Sequence, residues 1–98
     1  MIKVSHTGIF NRNLEYLLID QPLLKSKITK AVDRFVRNPQ DTRLELHPLK
    51  KRLKGKYAIG VTDDIRIVFE WLGKNSVRFL AIGPHYKIYP GYQKKSAE

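Results

Sequence analysis

Tyr57-Ala58-Ile59-Gly60-Val61-Thr62-Asp63-Asp64-Ile65-Arg66-Ile67-Val68-Phe69-Glu70-Trp71 is the stretch whose pattern decides the architecture. Its ends, Tyr57 to Val61 and Ile65 to Trp71, are β-branched and aromatic runs. Thr62-Asp63-Asp64 between them has the composition of a turn, so the stretch reads as a β-hairpin. In the second run Ile65, Ile67, Phe69 and Trp71 point one way and Arg66, Val68 and Glu70 the other, the period of a strand with one face packed. Gly73-Lys74-Asn75 is a second turn, leading into an apolar run from Ser76 to Ile82 that completes an antiparallel meander of three strands. Gly83-Pro84 then takes the chain off the sheet at His85.

Upstream of the meander the period changes. Ile2 to His6 alternate as in a short half-buried strand, and Thr7 or Gly8 ends it. From Ile9 to Leu18, Phe10, Leu14 and Leu17/Leu18 recur at helical spacing, which predicts a first helix of about three turns. Asp20 is the expected N-cap of a second helix, with Pro22 in its first turn. Leu24, Ile28, Ala31 and Phe35 form its apolar face, and Asn38-Pro39 ends it. Lys25, Lys27, Lys30, Arg34 and Arg37 read as its solvated side. The fold class is therefore α+β: an N-terminal strand and two helices packed on one face of a mostly antiparallel sheet of about four strands.

The chain has 98 residues, the size of one domain, expected over residues 1–90 with a polar tail over 91–98. At 42% hydrophobic residues it can build a core without covalent staples. It contains no cysteine, which excludes disulfides, thiolate metal sites and cysteine nucleophiles. No run has the length of a signal-peptide core or a membrane span, so a cytoplasmic protein with no membrane partner is expected. Nineteen Lys and Arg against nine Asp and Glu give a net charge of +10, an excess that points to a polyanionic partner. Lys50, Lys51, Arg52, Lys54 and Lys56 fall within seven positions with no acid among them.

There is no Gly-rich phosphate loop and no His-Glu-x-x-His helix. His6, His47 and His85 share no helix turn or short strand spacing, so neither a metal nor another cofactor is expected. His47 stands before a proline at the start of the basic run, where it is either a loop histidine or a proton-transfer group. His85, presented at a rigid strand end, is equally a turn residue or a general acid or base. Arg66 stands on the sheet face opposite the apolar set. There it is either a bidentate phosphate ligand or the partner of Glu70 on the same face. Asp63 and Asp64 are first of all turn formers.

Four segments in this order, His47-Pro48-Leu49, the basic stretch ending Leu53-Lys54-Gly55-Lys56-Tyr57, Asp64-Ile65-Arg66-Ile67-Val68-Phe69, and Ile82-Gly83-Pro84-His85 with Ile88-Tyr89, resemble the RelE/YafQ branch of the RelE/ParE toxin superfamily. The resemblance covers nearly the whole chain. It implies a RelE-like fold and the activity of a type II toxin-antitoxin toxin, an endoribonuclease that cuts messenger RNA in the ribosomal A site by metal-independent attack of the 2′-OH. The implied partners are an acidic antitoxin protein, the ribosome and mRNA. By the same resemblance His47, His85 and Asp64 look like acid-base residues, Arg66 like the phosphate-binding arginine and Tyr89 like the C-terminal active-site tyrosine. Lys50, Lys51, Arg52, Lys54 and Lys56 are the expected RNA-binding set. One YafQ-type histidine is absent, because the position four before Asp64 is Gly60. ParE-type relatives share this scaffold and inhibit DNA gyrase without cutting nucleic acid, and a non-catalytic nucleic-acid-binding domain is the third reading.

Overall fold

The computed structural model describes residues 1–84. His85, Tyr89 and the expected tail over 91–98 therefore lie outside the described residues. Strand β1 (Lys3–His6) is followed by helices α1 (Gly8–Asp20) and α2 (Leu24–Arg37), then by β2 (His47–Pro48), β3 (Tyr57–Gly60), β4 (Ile65–Gly73) and β5 (Ser76–Pro84). The five strands form one sheet in the order β1-β5-β4-β3-β2. All neighbours are antiparallel except β1, which runs parallel to β5 at the edge, with Val4 opposite Val77 and His6 opposite Phe79. The α+β class and the packing of both helices on one sheet face are as the periodicity predicts. The strand beyond the four expected is β2, two residues long.

Both helices bury one stripe against that face. Phe10 and Leu17 of α1, with Leu24, Ile28, Ala31 and Phe35 of α2, meet Ile59, Ile65, Ile67, Phe69, Val77, Phe79 and Ile82 in one cluster. Phe35 is fully buried at its centre, its ring 4.9 Å from Phe69 and 5.9 Å from Phe79. Truncating a residue so placed to alanine costs about 3–5 kcal/mol, because the surrounding rings cannot collapse into the space.

The helix termini differ from expectation in one place. Thr7 caps α1, its hydroxyl accepting from Phe10 N at 3.0 Å. Asp20 does not cap α2. It is the last residue of α1, which runs on until Gln21 N bonds Leu17 O at 2.8 Å. Pro22 and Leu23 then form a tight turn, and α2 starts without a side-chain cap. A proline is compatible with both positions, so composition does not separate them.

Candidate functional site

The helices cover one sheet face, so chemistry on the sheet falls to the other. Directly opposed residues on neighbouring strands share a face. His47 pairs with Ala58, Ala58 with Val68, and Val68 with Ala81, forming one row across the face away from the helices, in which Ala58 and Val68 are buried. The next row is Gly60, Arg66 and Gly83. His47 and Arg66 thus stand two strands and one row apart, about 12 Å between Cα atoms from ideal sheet spacings, a gap that two long side chains can close around one phosphodiester.

The turn that delivers His47 is built from side-chain bonds. Asp41 caps the 3-10 turn Thr42–Leu44, accepting from Arg43 N at 3.0 Å, and the Arg43 guanidinium grips both carboxylate oxygens at 3.0 and 2.7 Å. Those side-chain bonds first, and the main-chain bond second, pull the Asp41 carboxyl down from 3.8 to about 2. The pKa is depressed on folding, so the contribution is complete above the unfolded value and lost only as pH falls through about 2; the clamp is intact at neutral pH. The turn ends on Glu45 in the left-handed conformation, φ 51° and ψ 42°. His47 Nδ1 donates to Glu45 O at 2.8 Å. A carbonyl only accepts, so Nδ1 carries a proton, and the neutral tautomer consistent with this bond has Nε2 as its acceptor on an exposed residue.

Arg66 occupies the centre of the second row. Its guanidinium donates through Nη1 to Thr62 O and to Ile65 O, the latter at 3.4 Å, while Nη2 lies 3.9 Å from Glu45 Oε1. The side chain is only 12% exposed. The expected Arg66–Glu70 alternative does not form. Glu70 is taken by cations from both neighbouring strands, Lys56 Nζ at 3.4 Å and Arg78 Nη1 at 3.4 Å. Arg78 is directly opposite Glu70 in the β4–β5 register, a relation that one strand read alone does not contain.

Gly60 lies directly beneath the Arg66 guanidinium. A Cβ built on it would stand 3.2 Å from Arg66 Nη1 and 3.5 Å from Leu44 O, so the guanidinium rests where a side chain at position 60 would begin.

The basic stretch folds back on itself. Leu49 N bonds Lys56 O at 2.9 Å, extending the β2–β3 ladder, and Lys51–Leu53 forms a 3-10 turn at the tip. Gly55 there adopts φ 91°, a value that glycine accepts without strain. Lys50, Lys51, Arg52 and Lys54 are exposed, whereas Lys56 is half-buried against Glu70. The run therefore has an acid to offset it, supplied from β4 rather than from within.

Asp64 takes a different position. It is exposed in the turn after β3, where Thr62 Oγ1 accepts from Asp64 N at 3.2 Å and Ile65 N at 3.0 Å. It borders a cleft of about 650 Å³ between α1 and the end of β5, with Ile9, Tyr16 and Asp20 on the helix side. The structure brings His47, Arg66 and Lys56 to one face and leaves Asp64 at its margin. Among the described residues no three His, Asp or Glu side chains gather as a metal site, and no helix is long and apolar enough to cross a membrane. Sequence reasoning missed Glu45 as a neighbour of the site. No strand periodicity could have found it, because Glu45 ends a 3-10 turn in the left-handed conformation before β2 begins.

No protein-family model and no curated protein sequence matches the chain. Solved structures do. YafQ in the Escherichia coli DinJ-YafQ complex is 19% identical with a TM-score of 0.74, covering 91% of this chain and 99% of that one. A metal-bound toxin from Helicobacter pylori is 22% identical with a TM-score of 0.74, covering 91% and 100%. A YoeB/ParE toxin from Agrobacterium tumefaciens is 20% identical with a TM-score of 0.73, covering 87% and 100%. At these identities the likeness is one of fold.

Proposed function

We propose that this chain, which has the fold of the RelE/YafQ-type toxins, is itself a toxin-antitoxin toxin and cleaves messenger RNA on the ribosome. The observation that carries the reading is the sheet face away from the helices, where His47, its ring oriented by the Nδ1 bond to Glu45 O, stands one row from Arg66. A base removes the proton of the 2′-OH, the 2′-oxygen attacks the adjacent phosphorus, and the P–O5′ bond breaks as an acid protonates the leaving oxygen. The products are a 2′,3′-cyclic phosphate and a 5′-OH. His47 and His85 are the acid-base pair in this reading, Arg66 with Lys54 and Lys56 offsets the developing charge, and Tyr89 stacks a base or supports proton transfer. Asp64 stands at the margin as a supporting acid. The relative solved as a DinJ-YafQ complex supports an antitoxin as protein partner.

The test is to add the protein to a translating extract, and to naked RNA beside it, and map RNA ends by primer extension. Cuts within translated codons are expected, and His85→Ala is expected to keep its fold while losing on the order of a hundredfold in rate. A folded His85→Ala protein cutting at the parental rate would remove His85 from the chemistry. The ParE-type reading, gyrase inhibition without cleavage, is favoured by one observation: Gly60 in place of a histidine leaves the acid-base set short. Intact mRNA together with gyrase-dependent DNA damage would move the assignment there.

A further inference from the structure

One residue touches both candidate groups. The main-chain carbonyl of Glu45 receives His47 Nδ1, and its carboxylate lies 3.9 Å from Arg66 Nη2, whose guanidinium rests against Gly60. Glutamate is uncommon in the left-handed conformation that Glu45 adopts, and this conformation lets one residue serve both directions. Arg66 is nearly covered, and a covered guanidinium needs acceptors in every state of the site. Thr62 O supplies one, and Glu45 supplies the only carboxylate in ion-pair range of Arg66 among the described residues. The carboxylate is 69% exposed, and at 3.9 Å its grip is loose. A phosphodiester offers two oxygens in the geometry of the guanidinium fork and is the stronger ligand.

We infer that Glu45 is a positioning residue: its carbonyl orients His47, and its carboxylate holds Arg66 over Gly60 until a phosphate group of the substrate takes that place. The inference rests on the proposed RNA substrate for its biological meaning, while the exchange on Arg66 can be measured without cleavage.

The experiment follows the Arg66 Nε–Hε resonance by NMR, assigned with Arg66→Ala, during titration with inorganic phosphate. Glu45→Gln is expected to move that resonance before phosphate is added and to lower the apparent Kd several-fold. Glu45→Asn, whose side chain tolerates the left-handed turn, should do the same, which guards against misfolding at position 45. His47 ring nitrogens should keep the Nδ1-protonated pattern in both variants, because that bond uses the main chain. Binding of a 2′-O-methyl RNA oligonucleotide, which lacks the nucleophile, completes a double-mutant cycle. The several-fold gain from Glu45→Gln should vanish in the Arg66→Ala background. An unmoved Arg66 resonance in both variants, or a gain that persists without Arg66, overturns the inference, since general charge repulsion would then explain it. A protein that shows the exchange but leaves translated mRNA intact overturns the nuclease reading and leaves the role of Glu45 standing.

Discussion

Arg66 and Gly60 are directly paired across β3 and β4, and the contact between them makes the two positions interdependent. A methyl group at position 60 would meet Nη1 at 3.2 Å, and the guanidinium, as the far end of a flexible side chain, can yield. Gly60→Ala should therefore keep the fold, within about 1 kcal/mol of the parent, while shifting Arg66. Gly60→His asks for more room and should push Arg66 off Thr62 O. If the chain cuts RNA as proposed, a histidine there is expected to lower cleavage rather than raise it, and the loss should disappear in an Arg66→Ala background. Cleavage raised by Gly60→His with an unmoved Arg66 resonance would show that the two side chains coexist. The face carrying Arg66 was legible from the alternation of Ile65, Ile67 and Phe69. Its partners were not, because Glu45 and Thr62 reach it through a turn, and Glu70 is claimed by Lys56 and Arg78 from adjacent strands.

Thr7 shows how one side chain joins two layers. Its hydroxyl accepts from Phe10 N and donates to Leu80 O at 3.1 Å, while its own N–H bonds Phe79 O at 3.1 Å. Leu80 lies where the β4–β5 register shifts, Val68 opposing Ala81 and Phe69 opposing Phe79. Thr7→Ala loses a helix cap and an interlayer bond, and should cost about 1–2 kcal/mol. In urea this would appear as a lower midpoint at unchanged slope, with Thr7→Ser recovering most of it. An alanine variant with the parental midpoint would mean that water replaces both bonds. Local pattern made α1, the end of α2 and most of the meander readable, since each is specified by neighbours within a few residues; Gly83 and Pro84, expected to leave the sheet, instead stay in β5 opposite Arg66 and Ile65, a pairing that local composition does not contain. The parallel edge pair β1–β5 joins residues more than seventy positions apart, and no local period encodes it. Nor does period mark β2, whose two residues are strand only by virtue of β3.

At the scale of the whole molecule, two clusters of cations among the described residues stand on different surfaces. Lys25, Lys27, Lys30 and Arg37 are exposed on α2, where Arg37 pairs with Asp33 at 3.4 Å, and Lys50, Lys51, Arg52 and Lys54 crown the loop between β2 and β3. The helix layer and the sheet separate the α2 set from the face that holds His47 and Arg66, whereas the loop extends from that face's own strands. On the proposed toxin reading, an acidic antitoxin segment is therefore expected on the loop cations and not on α2. Raising ionic strength from about 0.01 to 1 M shortens the screening length from about 30 to 3 Å, so affinity for the antitoxin should fall on the order of tenfold or more across that range. Replacing Lys50, Lys51, Arg52 and Lys54 by glutamine should weaken binding at low salt and flatten the salt dependence. The same replacement of Lys25, Lys27 and Lys30 should leave both nearly as they were. Equal effects from the two sets would mean that net charge alone draws the partner, and an affinity flat with salt would mean that the contact is apolar.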